Sequence, residues 1–455
     1  MTIEETIGRA KKLHFIGVGG SGIFPIVQIM LGKGYEISGS DNNEGDTLEQ
    51  ERQLGVRVFL GHKAEQVAGA DAVIYSAAIM QDNPELLAAR AAGIPTFERS
   101  EMLGYITRQY DNCICVSGTH GKTTTTAMLT QILMGAGLDP TAVIGGKLPL
   151  IDGSGRAGTT DIMTCEACEY VDTFLHLSPD YAVILNVDED HMEYFGTLER
   201  IVQSFHQFAA LATKGVIVNA DDANSLKAVA GISVPLTTFG FGETCDYRAD
   251  NIQVLAPART GFDLVCRGEK LTRVELQVAG RHNILNALAA LAAAHLVGAQ
   301  PQKMRDALAG FGGAGRRFER LGEVNGVTVA DDYAHHPAEL SVTLQVAKTM
   351  GYNRVWAVFQ PFTYSRTALL LNDFAAALAI ADKVVMSEIM GAREVNTYGI
   401  YTKDLAALVP GSVWFNGFDE IAEYVLANAQ PGDLVLTLGC GDIYKCAKMM
   451  LKNRQ

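Results

Sequence analysis

The chain has no cluster of basic residues. Its 37 Lys and Arg are dispersed and outnumbered by 51 Asp and Glu, for a net charge of −14. It therefore lacks the positive footprint that attracts nucleic acid or an anionic membrane, and neither is expected as a partner. No apolar run approaches the ~18 residues of a membrane-spanning helix. The stretch from Met1 to Lys12 is charged and polar rather than signal-like, so a soluble, cytoplasmic chain is expected. The eight cysteines are scattered, and Cys165-x-x-Cys168 is the only C-x-x-C pair. A zinc site would lack its second half, so the cysteines read as reduced thiols. There is no short-period repeat and no low-complexity tract. A small anionic ligand remains possible because it needs only a local positive site.

At 455 residues the chain has room for about three domains. Apolar strand-like runs alternate with amphipathic helical stretches, the pattern of parallel α/β sheets. Three blocks are expected, at 1–108, 109–313 and 314–455. The first has strand candidates Leu13–Ile16, Tyr35–Ser38, Val56–Val58 and Ala72–Tyr75, and the third has Val327–Ala330, Arg354–Phe359, Lys383–Met386 and Leu434–Leu438. Between the second and third lies Gly310-Phe311-Gly312-Gly313-Ala314-Gly315, a plausible hinge because glycine tolerates large backbone changes.

The second block opens on the run Gly118-Thr119-His120-Gly121-Lys122-Thr123-Thr124, placed after the apolar stretch Cys113–Ser117 and before an apolar helix. Glycines allow successive N–H groups to face a phosphate, Lys122 supplies a point charge, and the Thr123 hydroxyl suits Mg²⁺. The usual first glycine is replaced by Val116. Further on, one strand candidate ends at Glu166 and another, Tyr181–Asn186, ends before Asp188-Glu189-Asp190-His191. Ligands of open α/β sheets bind outside the carboxyl ends of the strands, so Glu166 and His191 can face the same phosphates. Each taken singly also reads as an exposed turn residue. Mg²⁺ prefers oxygen ligands, which suits Thr123 with Glu166, while His191 could help to hold a second ion.

Elsewhere the first block carries Gly17-x-Gly19-x-x-Gly22 between a strand and a helix, with Ser40-Asp41 where a ribose contact belongs. That fingerprint suits a pyrophosphate on a helix N-terminus without naming the nucleotide, and its literal reading is an NAD-dependent oxidoreductase. Gly280-Arg281-His282-Asn283-Ile284-Leu285-Asn286 opens an alanine-rich helix; its amides suit an adenine edge, or Asn283 simply caps the helix. Arg316-Arg317 follows the glycine hinge. In the third block, Asp331-Asp332-Tyr333-Ala334-His335-His336-Pro337 suggests a small-molecule pocket, and Arg366 can pair with a carboxylate.

These motifs together resemble the Mur ligases of peptidoglycan synthesis, over essentially the whole length. Gly-Thr-His-Gly-Lys-Thr-Thr is similar to the family's ATP loop, whose G-x-x-G-K-T form accounts for Val116. Phe15-Ile16-Gly17-Val18-Gly19-Gly20-Ser21-Gly22 with Ser38-Gly39-Ser40-Asp41 resembles a UDP-sugar-binding segment. Asp331 to Pro337 and Gln360 to Thr367 resemble the branch that joins L-alanine to UDP-N-acetylmuramate. The resemblance implies three α/β domains: an N-terminal Rossmann-like UDP-binding domain, a central P-loop ATPase-like domain and a C-terminal Rossmann-like domain.

The same resemblance assigns residues. Gly118, Thr119, His120, Gly121, Lys122, Thr123, Thr124, His282, Asn283, Asn286, Arg317 and Asp332 would bind ATP, and Thr123, Glu166 and His191 would hold Mg²⁺. Gly17, Gly19, Gly20, Ser21, Gly22, Ser40, Asp41 and Ser76 would bind the UDP-sugar. Tyr333, His335 and Arg366 would frame L-alanine, and Lys122, His191, Arg317 and His335 would serve catalysis. A monomer or homodimer is expected. The implied reaction runs through an acyl phosphate, with the third block swinging about the hinge to exclude water. Three features depart from the family pattern: Phe362 stands where histidine is common, Cys165-Glu166-Ala167-Cys168-Glu169-Tyr170 is less acidic than usual, and His206 stands where other Mur ligases carry a carbamylated lysine. Carbamylation is therefore not expected. The alternatives are a ligase that adds an intact tripeptide, an NAD-dependent oxidoreductase, and a non-catalytic nucleotide-binding regulator.

Overall fold

The computed structural model describes residues 2–256, 259–392 and 394–452. Three sheets organise them. The first contains β1 (Lys12–Ile16), β2 (Glu36–Asp41), β3 (Arg57–Leu60), β4 (Ala72–Tyr75) and β5 (Thr96–Glu98), all parallel, in the order β3-β2-β1-β4-β5. β2 begins one residue later than the expected Tyr35 and runs on to Asp41. Ser40 and Asp41 therefore end a strand instead of lying in the turn after it.

The second sheet has ten strands: β6 (Asn112–Ser117), β7 (Thr141–Leu148), β8 (Gly153–Arg156), β9 (Ile162–Glu166), β10 (Tyr181–Ile184), β11 (Gly215–Asn219), β12 (Leu236–Gly240), β13 (Tyr247–Ala256), β14 (Arg259–Cys266) and β15 (Glu269–Leu276). Their order is β15-β14-β13-β12-β11-β10-β6-β9-β7-β8. The strands from β12 to β7 are parallel and buried, whereas β14 with β15 and β7 with β8 are antiparallel. The third sheet is β16 (Glu319–Val324), β17 (Val327–Asp332), β18 (Val355–Phe359), β19 (Lys383–Ser387), β20 (Val413–Phe415) and β21 (Leu434–Leu438), in the order β16-β17-β21-β18-β19-β20. Only its edge strand β16 is antiparallel. Each parallel core is explained by the near-continuous apolar runs of strands covered on both faces.

The chain separates into two compact units, Met1–Val254 with Thr260–Gly312 and Leu255–Arg259 with Gly313–Gln455. The division at Gly312 and Gly313 falls within the glycine-rich segment. The first two sheets share apolar packing. One continuous apolar cluster runs from Ile7 in the first to Val229 in the second. The helix Phe24–Gly32 explains this, because β8 is glycine-rich and lets the helix approach. A Cβ at Gly155 would collide with Pro25, and Gly155 N–H donates to Gln28 Oε1 at 2.9 Å.

The helix Asp46–Gln53 carries a conspicuous buried acid. Glu51 is fully buried, and neither carboxylate oxygen has a hydrogen-bond partner among the described residues. Burial, and after it the charge of Asp41, pushes its pKa from an ordinary 4.5 to about 8. The folded chain then keeps a proton that the unfolded chain releases, so stability falls as pH rises between those values. Glu51→Gln removes this loss. The variant should gain on the parent in thermal melts as pH is raised from 5 to 8, whereas an equal difference at both ends would contradict the assignment.

Candidate active site

In the second sheet the loop Gly118–Gly121 joins β6 to the helix Lys122–Gly135. Gly118 and Gly121 take positive φ values of 145° and 87°, which L side chains rarely adopt. Asn186, just beyond β10, grips this loop: its Oδ1 accepts from His120 N–H at 2.8 Å, its Nδ2 donates to His120 O at 3.0 Å, and its carbonyl accepts from Thr119 N–H. Thr119 Oγ1 accepts from Asp188 N–H at 2.9 Å. Thr124, half-buried, follows in the first turn of the helix.

Lys122 Nζ donates to Gly118 O at 2.6 Å, Thr119 O at 3.1 Å and Glu169 Oε1 at 2.9 Å. Burial, the largest single influence, works against its charge, but Glu169, with Cys168 and Glu166, raises the ammonium pKa overall. Thr123 Oγ1 donates to Glu166 Oε1 at 3.1 Å, and Glu166 Oε2 accepts from Gly145 N–H at 2.7 Å. The structure thus brings Lys122, Thr123, Glu166 and Glu169 together at the carboxyl ends of β6 and β9. His191, at φ 53°, lies with Nε2 4.0 Å from Glu169 Oε1 and 3.9 Å from Asp190 Oδ2, its ring against Tyr170. Thr123 and Glu166 offer hard oxygen donors at hydrogen-bond separation, a set that fits Mg²⁺ when phosphates and water complete the shell.

Asn283 is not the cap of its helix, Arg281–Leu296. That position is Gly280, and Asn283 Nδ2 donates to Ala279 O at 2.6 Å. Asn286 is buried, donates to Asn283 Oδ1 at 3.1 Å and packs against Gly121, so this amide pair reaches the phosphate loop while His282 stays exposed. His206 Nδ1 donates to Ala228 O at 2.9 Å, a structural use of the position that replaces the lysine.

In the first sheet the order reverses between β1 and β4, where ligand crevices form in such folds. Gly17 (φ 81°) and Ser76 meet there, with Gly17 N–H donating to Ser40 O at 2.8 Å. Gly20 N–H returns to Gly17 O, Ser21 is exposed, and Gly22 leaves room for Arg99. Asp41 Oδ2 accepts from Gly19 N–H at 3.1 Å, clamping the turn. Behind it lies a polar network that the sequence reading missed. Glu85 accepts from His14 Nε2 at 3.0 Å, Ser40 Oγ at 2.5 Å and His62 Nδ1 at 2.7 Å, with His14, Ser40 and Glu85 fully buried. Burial would raise the Glu85 carboxyl, but these bonds hold it below its usual range. The only sequence signal is that His14, Ser38 and Ser40 fall within β1 and β2.

The second unit gathers its candidates around the carboxyl ends of β17, β21 and β18. Asp332 accepts from Phe318 N–H at 2.7 Å and Ala334 N–H at 2.8 Å, and burial pushes its pKa up to about 6 against the pull of Arg317. Arg316 donates to Asp331 Oδ2 at 2.8 Å and Gly439 O at 2.5 Å. Arg316 and Arg317 both lie over the Tyr333 ring at 4.9 Å. His335 Nδ1 donates to Tyr333 O at 3.1 Å and lies 3.3 Å from Glu339. Arg366 sits on the helix Tyr364–Leu369, close enough to act on the half-buried Cys440 thiol electrostatically together with Arg316. Phe362 bridges Met390 through its backbone.

A glycine and lysine loop at the carboxyl end of a parallel strand, beside a carboxylate and hydroxyl pair, in a chain of three α/β sheets, is the arrangement of a multidomain nucleotide-using enzyme. Family models agree along the chain: "Mur ligase family, catalytic domain" at residues 12–111, "Mur ligase middle domain" at 116–294, and "Mur ligase, glutamate ligase domain" at 316–441. The chain belongs to the Mur ligase family. It is 41% identical to a UDP-N-acetylmuramate–L-alanine ligase of Caldanaerobacter subterraneus subsp. tengcongensis, over 100% of both chains. Among solved structures it is similar to a UDP-N-acetylmuramate-alanine ligase from Thermotoga maritima, at TM-score 0.83 and 28% identity over 97% of this chain and 98% of that one. A murein peptide ligase from Psychrobacter arcticus gives TM-score 0.77 at 25% identity over 97% and 98%. The oxidoreductase reading of the glycine turn falls, because that turn lies inside a Mur ligase domain.

Proposed function

We propose that this chain joins L-alanine to the carboxylate of UDP-N-acetylmuramate, converting ATP to ADP and phosphate, in the cytoplasmic synthesis of peptidoglycan precursors. The observation that carries the reading is the full-length 41% identity with an alanine ligase, together with Lys122, Thr123 and Glu166 assembled at the strand ends where a triphosphate is handled. The glycine turn with Ser40, Asp41 and Ser76 takes the UDP-sugar. Its muramate carboxylate attacks the γ-phosphate, the β–γ bridge bond breaks to leave ADP, and an acyl phosphate forms. The alanine amine then attacks the acyl carbon, losing a proton, and inorganic phosphate departs.

Repulsion between a carboxylate and a triphosphate dominates the first step. Lys122 offsets it with positive charge at the transferring group. Thr123, Glu166 and His191 would hold Mg²⁺, which supplies further charge neutralisation when bound. Asn283 and Asn286 support adenine. Arg366 receives the alanine carboxylate as a planar guanidinium suited to bidentate pairing. Tyr333 and His335 frame the amine, and His335 is the candidate base for its proton.

The likeness to a murein peptide ligase supports one second reading, the same chemistry with a tripeptide as acceptor. Phosphate release in the presence of ATP, Mg²⁺ and UDP-N-acetylmuramate decides between them. L-alanine should give the highest kcat/KM in a panel with glycine, L-serine and the tripeptide. Faster turnover with the tripeptide would replace the alanine assignment, and turnover indifferent to UDP-N-acetylmuramate would remove both.

A further inference from the structure

Glu169 is absent from every sequence-based assignment, yet it makes a close charged contact with the lysine of the phosphate loop. Its carboxylate is 3% exposed and lies 2.8 Å from Lys122 Nζ through one oxygen and 2.9 Å through the other. An ammonium has three protons to give. Those of Lys122 are all used, on Gly118 O, Thr119 O and Glu169. A phosphate oxygen that is to bind Lys122 must therefore displace one of these acceptors.

The three acceptors are not equally replaceable. Gly118 O and Thr119 O belong to a loop backbone held by Asn186, and Thr119 Oγ1 adds its own bond to Asp188 N–H. Glu169 is attached through a side chain with three rotatable bonds. It also carries the same sign of charge as the incoming phosphate, and in a buried setting that repulsion is poorly screened. Release of Glu169 is the least costly exchange on both grounds.

We propose that Glu169 is a positioning residue that acts through Lys122. It keeps the ammonium folded back on the loop carbonyls and competes with phosphate for it, so that nucleotide binding includes the exchange of the Glu169 carboxylate for a phosphate oxygen. The inference rests on the ATP-site reading and adds a sign to it. Removing a carboxylate from this site tightens nucleotide binding, where loss of a supporting contact would weaken it. The exchange also keeps bound ADP from becoming too stable, because Glu169 competes for Lys122 at product release.

The test is ADP binding by calorimetry in EDTA, which isolates phosphate from metal contacts, on the parent chain, Glu169→Gln, Glu169→Asp and Lys122→Ala, each first checked for folding by thermal melt. Glu169→Gln keeps shape and hydrogen-bonding capacity without charge, and its Kd for ADP should fall roughly tenfold. Its KM for ATP should fall with it, and kcat should not rise. Glu169→Asp keeps the charge but draws it back from Lys122, so it should fall between parent and Glu169→Gln; it also serves if the glutamine variant does not fold. Unchanged or weaker ADP binding in folded variants would overturn the proposal. Equal ADP binding by the parent and Lys122→Ala would instead overturn the ATP-site reading itself.

Discussion

Replacing Lys122 with alanine lowers ATP turnover by roughly 10³-fold, the scale of removing one preorganised charge from a developing oxyanion. The loss falls on kcat and on ADP affinity together, because the ammonium meets phosphate in both ground and transition states. A stability cost accompanies it. Glu169, 3% exposed, loses its cation, and breaking one side of a buried pair is expensive. The melting temperature should therefore drop, and activity must be expressed per folded protein. Phosphate release with saturating UDP-N-acetylmuramate and L-alanine measures the effect, and activity within tenfold of the parent would refute the role of Lys122. Glu169→Gln placed on the Lys122→Ala background should recover stability without recovering turnover, which separates the structural cost from the catalytic one.

Gly121→Ala should cost about 10²-fold in ADP affinity, the scale of misplacing a positioned group by about an ångström. Two penalties combine there. Gly121 has φ 87°, where a side chain costs roughly 1–2 kcal/mol. Its added Cβ would also lie well inside 3.0 Å of Asn286 Oδ1, so the amide pair Asn283 and Asn286 must give way. Gly137, at the other end of the same helix, provides the control. Its φ is 80°, nearly the same, but an added Cβ meets nothing within 4 Å. Gly137→Ala should therefore show only the backbone penalty in thermal melts, with ADP binding unchanged. Equal loss of ADP affinity in the two variants would mean that backbone strain, and not the packing of Asn286 on the loop, accounts for the effect.

Parallel strands β1, β4, β18, β19 and β21 were legible because buried strands read as continuous apolar runs, and they lie within about a residue of their expected limits, whereas β5, β7, β11, β12 and β20 drew no expectation. The antiparallel additions β8, β14, β15 and β16 were not. Their alternation is weak, as in the glycine-rich Gly153–Arg156, and their pairing depends on which sheet edge is nearby. Likewise the three-block organisation was legible, but the shared core of the first two domains was not. That core depends on a helix meeting β8 at a glycine, which no periodicity encodes.

At the candidate site the same boundary holds. Gly118 to Thr123 could be read from sequence because a phosphate loop is local: glycine conformations, a lysine and a hydroxyl within a few residues of one another. The choice of Glu166 followed from its place at a strand end. Glu169 was overlooked because it is three residues further on and its importance comes only from meeting Lys122 across the sheet. Asn186 was read merely as the end of a strand, and Glu85, His14 and His62 come from three separate segments. By itself the amino-acid sequence determined the family, the nucleotide loop and the alternation of strand and helix, since each depends on neighbours in the chain. Only the tertiary structure decided which buried charges are paired, that Glu51 has no hydrogen-bond partner among the described residues and that Lys122 has all three protons engaged, because burial and hydrogen bonding are properties of residues brought together from distant positions.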